Sequence, residues 1–117
     1  MKLSKELYQN TCEACRLDAP SLSNQEIKEL LQQIPSWMVN EEDGLRKLIC
    51  SFAFLSYKES ISFTNKVANL AEEEDHHPEI ILEWGKVTVL WWSHKIKGLH
   101  MNDFICASKT DKLYKDN

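Results

Sequence analysis

Nothing in this sequence is basic enough to grip a nucleic-acid backbone. Its 14 Lys and Arg are outnumbered by 18 Asp and Glu, for a formal charge of -4. The basic residues are scattered and form no stripe, which removes the electrostatic case for non-specific nucleic-acid binding. A long apolar run is missing as well. The most apolar stretch, residues 87–92, contains Thr88 and is far too short to span a bilayer. The opening Met1-Lys2-Leu3-Ser4-Lys5-Glu6 lacks the apolar segment of a secretory signal, so the expected location is the cytoplasm, with no membrane partner. Internal repeats and low-complexity tracts are absent. Glycine and proline occur only 3 times each, so punctuation is sparse.

What is present is an ordinary globular balance, 43% hydrophobic and 27% charged over 117 residues. That suits one domain able to bury a core without metal or disulfide support. We divide the chain into a lead-in, residues 1–22, read as extended or loosely ordered, and a single domain, residues 23–117. The four cysteines, Cys12, Cys15, Cys50 and Cys106, are expected to stay reduced in the cytoplasm. Cys12 and Cys15 form a CxxC pair. A zinc site would need two further thiolate or imidazole ligands, and no second CxxC or spaced HxxxH follows. A thioredoxin-like site would need a βαβ context that is missing nearby. The pair is therefore read as reduced packing or incidental thiols.

Ser23-Asn24-Gln25-Glu26 is a capping box, and Ile27, Leu30, Leu31 and Ile34 follow at helical spacing until Pro35. A first strand starts at Trp37-Met38-Val39. Glu41-Glu42-Asp43-Gly44 supplies a turn, and residues 45–54 alternate as a second strand. Ser56-Tyr57-Lys58-Glu59 is a second capping box opening the longest helix, about residues 57–74. Ile61, Thr64, Ala68 and Ala71 form its expected inner stripe, widened by Ser60, Val67 and Leu70. It ends in Glu72-Glu73-Glu74-Asp75, negative charge where the helix dipole disfavours it; Glu73 and Glu74 are read as a solvated turn. Residues 79–84 and 87–94 form a second hairpin across Gly85-Lys86, its return strand apolar on both faces and hence central or at a subunit contact. A last helix begins at Met101, with Asp103 in its first turn, where a carboxylate is favoured. The order α-β-β-α-β-β-α predicts an α+β fold: a four-stranded antiparallel sheet with helices on one face.

Three of the 4 histidines lie in one region: His76 and His77, followed by Pro78, and His94. The hairpin brings the end of the fourth strand beside the start of the third, so His94 falls near His76-His77. Imidazole gives and takes protons near neutrality. Three readings of the cluster stay open: acid–base catalysis on a small molecule, a metal site with Glu72, or structural histidines at a strand end. His100 stands apart, at a helix-cap position, and is read as structural.

The spacing Glu72-x3-His76-His77-Pro78-x5-Trp84-x9-His94-x8-Asp103 resembles the signature of the pterin-4a-carbinolamine dehydratase family. Phe52-x-Phe54, Val67-Ala68, Lys86-Val87 and Gly98-Leu99 agree with it, so the likeness spans about residues 23–107. The resemblance implies an enzyme dehydrating 4a-hydroxytetrahydropterin to quinonoid dihydropterin, which recycles the pterin of aromatic amino acid hydroxylases. It implies a homodimer or homotetramer, and no metal or organic cofactor. By the same resemblance His76 and His94 are acids, His77 binds the pterin and can act as base, and Glu72 orients the site or holds the pterin ring. Trp84 either walls the pocket or fills the core, the latter preferred. Pro78 fixes the chain's exit, and Asp103 caps the last helix and holds a neighbouring loop. His100 stands where the family often carries a serine or threonine cap, a departure expected to weaken that helix start slightly. Trp91 and Trp92 are bulkier than usual for the family, one expected under the helices and the other at a subunit contact. The rival expectation is a non-catalytic binding module, since some animal relatives act as dimerisation cofactors of a homeodomain protein.

Overall fold

Each long helix starts where a side chain satisfies its first amides. Ser23 accepts from the Glu26 amide at 3.2 Å while Glu26 returns a bond to the Ser23 amide at 2.9 Å, opening α1, Asn24–Leu31. Ser56 accepts from the Glu59 amide and opens α2, Tyr57–Glu74. His100 and Asp103 make the reciprocal pair that opens α3, Met101–Lys115. The computed structural model describes residues 6–12 and 21–116. Cys15, half of the CxxC pair, lies outside them.

Four strands follow the alternation of the sequence: β1, Met38–Glu42; β2, Leu45–Ala53; β3, Glu79–Glu83; and β4, Lys86–Trp91. They pair antiparallel in the order β1-β2-β4-β3. The first hairpin turns on Asp43 and Gly44, both at positive φ (52° and 77°), the conformation a two-residue primed turn needs. The second turns one residue earlier than expected. Glu83 pairs with Lys86, so Trp84 and Gly85 form the loop. Gly85 takes the positive φ of 71°, and its carbonyl accepts from the Phe54 amide at 2.9 Å. Central β4 is bonded on both sides, and Val87 to Trp91 are buried on both its faces.

The α+β architecture is the expected one, with helices on one face of the sheet. Leu48, Cys50 and Phe52 of β2 and Val87, Val89 and Trp91 of β4 point into a core shared with Phe63, Val67, Phe104 and Ile34. The α2 face that is buried carries Ser60, Phe63, Val67, Leu70 and Ala71. Ile61 and Ala68, expected inside, are exposed, because Phe63 turns the helix toward itself and rests on Phe52, centroids 4.9 Å apart. Trp37 precedes β1 rather than joining it. It is buried, and its indole N–H donates to Asp111 at 2.8 Å, tying the α1–β1 connection to α3. Part of the lead-in is also docked: Leu7, in a 3-10 turn over Leu7–Gln9, is buried in the same core. Among the described residues no helix is long and apolar enough to cross a membrane.

Candidate active site

The site is built where α2 stops. Asp75 adopts the left-handed conformation (φ 51°, ψ 43°), which Asp tolerates better than most residues. The His76 amide then bonds back to the Ala71 carbonyl at 3.1 Å. This turn sends His76 inward and His77 outward, and Pro78 leads into β3.

His76 is buried and held on two sides. Its Nε2–H donates to Asp103 Oδ1 at 2.6 Å, and its ring lies nearly parallel to Trp91, 14° off, with centroids 5.5 Å apart. Asp103 is wholly buried, and its other oxygen accepts from the Ser93 hydroxyl at 2.9 Å and the His100 amide at 2.8 Å. One carboxylate thus joins the end of β4, the start of α3 and the α2–β3 turn. Outside, His77 Nε2–H donates to Glu72, one turn back on α2, at 2.9 Å.

His94 was expected at the end of the fourth strand. Instead β4 stops at Trp91, and Ser93 bridges to Gly98 with a 2.9 Å bond from its amide, so His94 opens a short loop. The ring reaches back to donate from Nε2 to the His77 carbonyl at 3.2 Å. A carbonyl only accepts, so this bond puts a hydrogen on Nε2. All three rings are tethered through Nε2.

The three histidines, with Asp75 and Lys95, line one cavity of about 290 Å³. His94 also borders a wider depression of about 560 Å³, lined by Lys47, Lys97 and Trp92 beside the acidic Glu42 and Asp43. Trp84 lines neither. It is 72% exposed on the second hairpin's turn, at the opposite end of β3 and β4 from the histidines, so it neither fills the core nor walls this pocket. Among the described residues no three His, Cys, Asp or Glu side chains gather as a metal-ligand set, so the reading of three imidazoles as ligands finds no support in their arrangement.

Sequence reasoning missed four contributors. Trp92 stacks on His94, centroids 4.4 Å apart, and Lys47 Nζ lies 4.1 Å over the indole. Their two-residue spacing put Trp92 and His94 on one side of an extended chain, a signal that was available. Lys95 and Asp75 border the cavity through turns whose direction no periodicity reports. Glu74 departs from its expected solvated role. It accepts from the Cys12 amide at 2.8 Å and pairs with Lys109 at 3.2 Å.

Residues 20–113 match the family described as pterin 4 alpha carbinolamine dehydratase. A protein of Saccharophagus degradans with the provisional name pterin-4-alpha-carbinolamine dehydratase is 54% identical over 110 residues, covering 94% of this chain and 97% of its own. One of Photobacterium profundum with the same provisional name is 56% identical over 106 residues, covering 91% and 95%. Among solved structures, a transcriptional coactivator/pterin dehydratase from Brucella melitensis is similar at a TM-score of 0.73 and 27% identity, over 81% of this chain and 99% of that one. A pterin dehydratase-like protein identified as a RuBisCO assembly factor in the alpha-carboxysome is similar at a TM-score of 0.58 and 25% identity, over 68% and 89%. With a match across nearly the whole domain and relatives more than half identical, the chain belongs to the pterin-4a-carbinolamine dehydratase family.

Proposed function

We propose that the protein is a 4a-hydroxytetrahydropterin dehydratase working by histidine acid–base catalysis, without metal or organic cofactor. The observation that carries this reading is the trio His76, His77 and His94 around one cavity of about 290 Å³, each ring tethered through Nε2. That volume sits at the small end of ligand pockets, in keeping with a bicyclic ring.

Hydroxide is a poor leaving group, so an acid must protonate the 4a oxygen as the C4a–O bond breaks. The adjacent ring nitrogen's lone pair drives the departure, and a base collects the proton then released. His76 and His94 serve as acids, one toward each face of the ring; His77 binds the pterin and can act as base. Glu72 holds His77 and Asp103 holds His76, so the imidazoles are oriented before substrate arrives. Pro78 keeps the chain's exit from the turn fixed. The product is quinonoid dihydropterin, returned to aromatic amino acid hydroxylases. The reading carries with it a cytoplasmic location and a homodimer or homotetramer. The apolar side chains left on the uncovered sheet face, Met38 at 69% exposure and Ile81 at 42%, support self-association.

The test is turnover of 4a-hydroxytetrahydropterin by His77→Ala and His94→Ala. Each is expected to lower kcat by about 10²–10⁴, the usual weight of a positioned acid or base, with unchanged circular dichroism. Full turnover in both variants would remove the catalytic assignment. A second reading, a non-catalytic binding or regulatory module, is favoured by the neighbour described as a RuBisCO assembly factor. It predicts wild-type protein without dehydratase activity.

A further inference from the structure

The CxxC motif found no role in the pterin site, yet Cys12 has a partner elsewhere. Its Sγ lies 3.3 Å from Sγ of Cys106, 94 residues away on α3. The approach is built by surrounding groups. The Cys12 amide is held by Glu74 at 2.8 Å, Glu74 is held by Lys109 at 3.2 Å, and the Cys12 thiol donates to the Asn102 carbonyl at 3.7 Å. Leu7, buried five residues earlier, anchors the segment on the same side of α3. Sulfurs in a disulfide lie about 2.05 Å apart, so bond formation needs a shift of little more than an ångström.

We propose that Cys12 and Cys106 are a reversible dithiol site, oxidised by small-molecule disulfides of the glutathione type to a bond that clamps residues 6–12 onto α3. The chemistry orders the two steps. Cys106 is buried, and its thiol is pushed well above the usual range by its hydrogen bond to Cys12 and by burial, so it holds its proton. Cys12 is the half-exposed sulfur and reacts first. Its thiolate attacks the external disulfide, forming a mixed disulfide and expelling one thiolate, which takes up the proton Cys12 gave to solvent. Cys106 Sγ then attacks Cys12 Sγ, and its proton leaves with the second expelled thiol. Two protein thiols are oxidised and one external disulfide is reduced to two thiols.

The clamp lies close to the catalytic support. Cys106 is less than one helical turn beyond Asp103, and Glu74 directly precedes the turn that carries His76. The proposal does not depend on the dehydratase reading.

The experiment is incubation of the whole protein with oxidised glutathione, alkylation of the remaining thiols, and intact mass followed by non-reducing peptide mapping. The expected result is loss of two hydrogens, a linked pair of peptides containing Cys12 and Cys106, and a Tm several degrees higher that dithiothreitol reverses. Cys15→Ser is expected to keep all three, and Cys12→Ser to lose them. Cys106→Ala serves beside Cys106→Ser should the serine disturb the core, and both are expected to lose them. A Cys12–Cys15 bond, a glutathione adduct on Cys12 that does not resolve, unreacted thiols, or stoichiometric zinc shielding these cysteines would each overturn the proposal.

Discussion

Asp103 receives three donors on two oxygens: the His76 ring, the Ser93 hydroxyl and the His100 amide. All three are buried, so removing the acceptor strands them together. A buried donor without a partner typically costs about 1–3 kcal/mol. Asp103→Ala is therefore expected to lose about 3 kcal/mol or more in urea unfolding and to lower kcat by freeing His76, whereas Ser93→Ala should lose about 1 kcal/mol. A loss under 1 kcal/mol in the Asp103 variant would show that the junction is not held this way. At His100 a sequence expectation gives way. Lack of serine or threonine there was expected to weaken the start of α3, but the imidazole Nδ1 accepts from the Asn102 amide at 3.1 Å and does the capping itself. Cap preferences describe short oxygen side chains, and here an imidazole nitrogen accepts from the amide in their place.

Among the elements, α2 ends in the acidic run its dipole disfavours, and tertiary partners resolve the conflict. Glu72 faces His77 and Glu74 faces Lys109 and the Cys12 amide, while Glu73 stays exposed. Local rule-breaking of this kind marked the right place, though not which carboxylate served which purpose. On α3, burial pushes the Asp111 carboxyl above the usual range, an effect the Trp37 N–H only partly offsets. A raised folded-state pKa means the protonated form suits the fold. Its contribution is fully present below the unfolded value of about 3.9 and is lost as pH rises through the folded one. Asp111→Asn keeps a carbonyl for Trp37 and removes the charge. We expect its Tm to exceed wild type by a few degrees at pH 7, with the gap closing below pH 4; differential scanning calorimetry across that range checks it. Hairpin placement shows the limit of turn chemistry. Gly85 was expected in the first position of its turn, but a glycine can serve either loop position. Pairing with β2, through the Phe54 amide to the Gly85 carbonyl, selects the second.

For the molecule as a whole, one carboxylate joins buried Leu7 in attaching residues 6–12. Glu74 is held below the usual carboxylate range: burial pushes it up, but the Cys12 amide and the Lys109 ammonium outweigh that. A lowered folded-state pKa gives stability that is present above the unfolded value and lost as pH falls through the folded one. Hydrogen exchange at the amides of Gln9, Asn10 and Cys12 should therefore speed up as the protein is acidified below pH 4, relative to the intrinsic rate. Glu74→Ala should show the same loss of protection at pH 7. Unchanged protection in that variant would mean the segment is held by Leu7 alone. The order of elements, the capped helix starts, the antiparallel hairpins and the candidate histidines were all open to reading from the chain, because capping, alternation and glycine turns are local effects written within a few residues. The buried carboxylate under His76, the indole stacked on His94, the exposure of Trp84 and the meeting of Cys12 with Cys106 were settled only by packing. Each depends on which faces of distant segments exclude water together, and no short window of sequence contains both partners.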